Sequence, residues 1–127
     1  MIGAVILAHL VGDYVLQSHW MAVEKTSRWW PAIAHGVTYG LPFLLITQSP
    51  AALAVIVVTH IVIDRLRLAR HLVWLKNQVG PRRHRPVWGR DVAGYPEDTP
   101  PWLAAWLMII ADNTLHLVIN VAAITWL

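Results

Sequence analysis

His9 with Asp13, His35, His60 with Asp64, and Asp112 with His116 have the types and spacing to bind a metal ion or to move protons. Side chains four apart on a helix stack on one face, so each His/Asp pair can reach a single point. Imidazole with carboxylate suits zinc, iron or manganese. The chain has no cysteine, which excludes thiolate sites, iron–sulfur clusters and disulfides. The donors suffice for one or two divalent ions, zinc first and iron or manganese as alternatives, with a position left for water. Such a water, brought near neutral pKa by the ion, would be a nucleophile. Asp13 or Asp64 could instead act as general base. Gln17, Asn113 and Asn120 would steady the ligands or hold substrate. The bland alternative is a set of His–Asp hydrogen bonds that fix helix packing. Packing alone is a poor return, because interhelical hydrogen bonds in membranes average ~0.6 kcal/mol while a buried aspartate costs a few.

The elements that must position these residues read as membrane helices. The 127 residues are 57% hydrophobic and only 13% charged, with mean hydropathy +0.50, against roughly a quarter charged in ordinary soluble domains. Long apolar runs predict an all-α, four-helix transmembrane bundle as one domain over 1–127, with spans at about 2–22, 30–47, 51–68 and 102–126. Pro42, beside Gly40, is expected to kink the second span. The first run begins at Ile2 without a basic leader and carries His9 and Asp13, so it is expected to remain as a spanning helix. In such a bundle Asp13, His35, His60, Asp64, Asp112 and His116 would meet between mid-membrane and the cytoplasmic face.

Charge sets the expected orientation. The formal net charge is +3, and the basic residues concentrate between Arg65 and Arg90. Basic residues favour the cytoplasmic side, so the loop over 69–101 is expected inside and both termini outside, in a bacterial inner membrane. The chain beyond Leu68 is expected to continue as an amphipathic helix toward Val79, lying at the membrane surface. A basic loop without a nucleic-acid fold is a weak sign of nucleic-acid binding, which is not expected. His19, His71 and His84 read as solvated. Ser18, Ser27 and Ser49 lack a Ser–His–Asp arrangement.

His9-Leu-Val-Gly-Asp13 is echoed by His60-Ile-Val-Ile-Asp64, and each is followed by a helix with another histidine, His35 or His116. This raises two repeated helical hairpins, with chance similarity as the alternative. With those residues in view, the chain resembles a family of small bacterial and phage membrane proteins, domain of unknown function 3307. The resemblance rests on the stretch Ala8–Ala22, Lys25, Ala34-His35, Thr59-His60-Ile-Val-Ile-Asp64 and Asp112-Asn113-Thr-Leu-His116. The chain departs from the family pattern at Asn113, Arg65 and Arg67. The resemblance implies a bacterial or phage-encoded inner-membrane protein and no known activity.

The leading expectation is a metal-dependent hydrolase with His9, Asp13, His35, His60, Asp64, Asp112 and His116 as its ligand pool. Its substrate would be a lipid or lipid-linked molecule, with a phosphate steered by Arg65 and Arg67. The competing expectation is a non-enzymatic membrane protein that passes protons or metal ions, or binds a host membrane protein in lysis or superinfection exclusion. A homodimer is compatible with either.

Overall fold

A computed structural model describes all residues from Met1 to Leu127. The chain is all-α: α1 (Ile2–Leu10), α2 (His19–Glu24), α3 (Trp29–Gly40), α4 (Pro50–Leu66), α5 (Leu68–Lys76) and α6 (Pro101–Trp126). The four-span transmembrane bundle expected from the sequence is therefore corrected. Only α6 is long and apolar enough to cross a membrane, by length and composition. One helix could span a membrane, and a multi-pass topology is not supported.

The physical reasons are local. Beyond Leu10 the first run widens into a π-helical stretch, Val11–Val15, and then stops. Ser18 restarts the chain as α2, its hydroxyl accepting from the Met21 amide at 3.3 Å. In the second run Pro42 cannot donate to an α-helical ladder, and the chain tightens into a 3₁₀ turn at Leu41–Leu45. Pro42 thus ends α3 where a kink was expected. The third run stops at Arg67, whose φ of +52° lies in the left-handed region. The 17 residues of α4 rise only about 25 Å, short of a ~30 Å hydrocarbon core.

The chain divides into two compact units, residues 1–66 with 116–127, and residues 67–115. In the first, Val5, Ala8, Tyr39, Phe43, Ala52, Ile56 and Ala123 form the core. Helix α3 packs closely on α4 at Gly36 and Gly40, where added methyl groups would strike Ile61 and Val57. In the second, Val73, Tyr95 and Ala104 form a smaller core. Its loop is organised by Asp91, which pairs with Arg70 at 2.9 Å and accepts from the Gly89 and Gly94 amides.

Candidate metal centre

Four donor atoms converge inside the first unit. They are Asp13 Oδ1 from the π-helical stretch, His35 Nε2 from α3, and His60 Nε2 and Asp64 Oδ2 from α4. His35 Nε2 lies 2.9 Å from His60 Nε2, 3.1 Å from Asp13 Oδ1 and 3.4 Å from Asp64 Oδ2. His60 Nε2 lies 3.3 Å from Asp64 Oδ2 and 3.7 Å from Asp13 Oδ1. Four donors held ~2.0 Å from a tetrahedral zinc ion stand ~3.3 Å apart, and these separations bracket that value. Both imidazoles are fully buried and both carboxylates nearly so. So many lone-pair atoms at one point cannot all be satisfied by the few protons between them. A cation satisfies them together, and the group could hold a metal ion.

One cation of the chain already reaches it. Lys25, just beyond α2, places Nζ 2.7 Å from Asp64 Oδ2, 3.2 Å from His35 Nε2 and 3.8 Å from Asp13 Oδ1. Asp64 Oδ2 nonetheless meets no donor at hydrogen-bonding angles. Arg65 fixes the turn that carries Lys25. It donates to the Thr26 carbonyl at 3.1 Å, and its guanidinium lies 5.1 Å from the Trp29 ring centroid.

Around the four donors stands a ring of supporting groups. His116 Nε2 donates to Asp64 Oδ1 at 3.3 Å, leaving Oδ2 facing the other donors. Asn120 Nδ2 donates to the Tyr39 hydroxyl at 2.6 Å, and that hydroxyl lies 2.8 Å from His9 Nδ1. With the Tyr39 proton given to Nδ1, His9 carries its own on Nε2, which faces Asp13 Oδ2 at 3.8 Å. Tyr39 also stacks on His60 at 3.6 Å between centroids, and His116 lies 4.2 Å from the same ring. Nδ1 of His35 and of His60 are buried without a hydrogen-bond partner, so stacking, where a hydrogen bond is usual, holds His60. Gly12 makes room for this: a methyl group there would sit 2.8 Å from Tyr39 Cδ2 and 2.8 Å from its carbonyl oxygen. The π-helical register around Gly12 and Asp13 is the kind of local distortion often found at functional sites.

The electrostatics prepare the donors in the forms a metal takes. Burial lowers the His60 imidazole to about 4, only partly offset by its Asp64 partner, so it is neutral near pH 7. Burial alone would raise Asp64, but its His116 and His60 partners and the Lys25 charge hold it well below the ordinary carboxylate range. Asp13 is likewise held low, with burial outweighed by His35 and nearby positive charge.

Of the residues singled out in the sequence, Asp13, His35, His60 and Asp64 converge, with His9, His116 and Asn120 around them. Gln17 is half-buried with its Oε1 unpartnered. Asp112 and Asn113 belong to the second unit, on α6 one turn before His116. Arg67 is an exposed residue of the second unit. The two H-x-V-x-D pairs do not play equivalent parts, since His60 is among the converging donors while His9 stands behind Asp13. Sequence reasoning did not place Lys25 or Tyr39 at the site, although Lys25 is one of the residues that carry the family resemblance. Tyr39 lies four residues after His35 on the same helix face, a signal that was available. Lys25 sits in a polar turn among charged neighbours and carries no such mark.

The whole chain, residues 1–127, matches the family described as protein of unknown function (DUF3307). The chain belongs to that family. No curated protein and no solved structure matches it.

Proposed function

We propose that this DUF3307 protein is a metal-dependent hydrolase that uses one divalent ion, zinc first, held by Asp13, His35 and His60. The convergence of Asp13, His35, His60 and Asp64 donor atoms within 4.8 Å of one another, with the two imidazoles 2.9–3.7 Å from each other and from both carboxylates, supports this reading most. When bound, the ion would polarise the scissile group and make water acidic enough to attack near neutral pH. In this reading Asp64 is the general base. It takes a proton from the attacking water and returns it to the leaving oxygen as the ester or phosphoester bond breaks. His116 anchors its other oxygen. Lys25 offers an ammonium to the negative charge that develops on the substrate. Asn120, Tyr39 and His9 form a hydrogen-bonded chain that sets the His9 ring beside Asp13, 3.8 Å from its Oδ2.

The substrate in this reading is a lipid or lipid-linked ester. Support comes from exposed apolar residues on the helices that carry the donors, among them Trp30, Val37 and Val58. Helix α6 would anchor the chain in a bacterial inner membrane.

A second reading is favoured by Asp64 Oδ2, whose position also completes a four-ligand set, and closed sets of that kind are typical of non-catalytic ions. There the protein would hold or pass a metal ion. Asp64→Asn separates the two. Hydrolysis predicts that the variant keeps its ion and loses roughly 10²–10⁴ in turnover on phospholipids or lipid-linked phosphoesters. Loss of the ion from the variant, with no turnover by the wild type, sinks the hydrolase.

A further inference from the structure

We propose that residues 67–115 form a docking surface for an anionic lipid bilayer. The inference stands on this unit alone and is independent of the metal centre. The first unit holds Lys25, Arg28 and Arg65 against Asp13, Glu24 and Asp64, and is formally neutral. The chain's formal +3 therefore falls entirely on the second unit. Within it, Arg70 is paired with Asp91 and Arg90 with Glu97. Arg82, Arg83 and Arg85 are exposed and form no salt bridge.

Beside this charge lies apolar surface that water does not favour. Leu72, Leu75 and Val79 recur at helical spacing along α5 and the turn after it, and are 46%, 62% and 87% exposed. Trp88 packs against another side of α5, on His71 and Trp74. Its ring stacks on His71 at 4.9 Å and lies 4.8 Å from the Arg70 guanidinium, so it is held rigidly while still 48% exposed. Apolar residues beside basic ones, with an exposed tryptophan in the same unit, match a bilayer interface, where acyl chains take the former and anionic headgroups the latter. A nucleic acid would satisfy the arginines and leave Leu72, Leu75 and Val79 in water.

The test uses the full chain and its lack of cysteine. Val79→Cys carries an environment-sensitive dye as the single labelled position. It is mixed with phosphatidylcholine vesicles with and without about one-third phosphatidylglycerol. The expected result is a blue shift on the anionic vesicles that added salt reverses. Arg82→Gln, Arg83→Gln and Arg85→Gln each weaken binding roughly fivefold, and together about a hundredfold. The corresponding triple Arg→Lys variant retains the preference. Three results would overturn the proposal. The dye could stay in water while the chain sediments with vesicles, the triple Gln variant could bind like the wild type, or inorganic phosphate alone could give the shift, marking a phosphate site.

Discussion

Lys25 and Asp64 are 2.7 Å apart at the edge of a group that would take a metal, so ammonium and ion compete for one carboxylate oxygen. Lys25→Met should therefore bind zinc about tenfold more tightly, as one positive charge leaves a poorly screened site, while turnover falls. Calorimetric titration reads the first effect and a hydrolysis assay the second. Tyr39 is tested by Tyr39→Phe, which takes an acceptor from Asn120 and a partner from His9. A loss of about 1–3 kcal/mol in unfolding free energy is expected, measured by denaturant titration. The pH response follows from His60 being neutral when folded. Its pKa falls from 6.5 in the unfolded chain to about 4, so the unfolded state binds the proton first. Stability present above pH 6.5 is lost as pH falls toward 4, on the order of 3 kcal/mol. Asp13 and Asp64, both held low, add to the loss further into acid. A thermal unfolding midpoint that rises on acidification through that window would contradict this assignment.

At the scale of elements, the decisive features are interruptions. Gly12 lets the π-helical stretch approach Tyr39, and Gly12→Ala would drive a methyl group into the Tyr39 ring and carbonyl. That substitution should lower the melting temperature and loosen metal binding together, because Tyr39 stacks on His60. Arg67 bears the opposite test. Its left-handed backbone disfavours any side chain, so Arg67→Gly should stabilise by about 0.5–1 kcal/mol if strain dominates. The same features explain what the sequence did and did not reveal. Helical period and apolar runs located α4 and α6 to within a few residues, the start of α3 but not its end at Gly40, and α5 as a short amphipathic helix. The four-spacing of His9/Asp13 and His60/Asp64 marked both helices that contribute carboxylates. Apolar content alone does not reveal where a run breaks, so Ser18, Pro42 and Arg67 divided what read as spans. Lys25 reaches the donors only because Arg65 and Trp29 fix its turn, a tertiary arrangement with no sequence period.

Across the whole molecule, charge and chemistry are partitioned. The first unit is formally neutral and surrounds buried His and Asp with apolar residues, and the second carries the net positive charge. A buried site with two ionised carboxylates and a neutral His60 imidazole binds a divalent ion in the folded state and lacks a preformed counterpart in the unfolded chain. Zinc at a thousand times its dissociation constant should add about 4 kcal/mol of stability, removed by chelator. The most direct test is the metal content of the purified chain, prepared without chelator, wild type beside His35→Ala. We predict close to one zinc, iron or manganese per wild-type chain and almost none in His35→Ala. No metal in the wild type, even after incubation with each ion, or equal metal in both proteins, would contradict the metal centre.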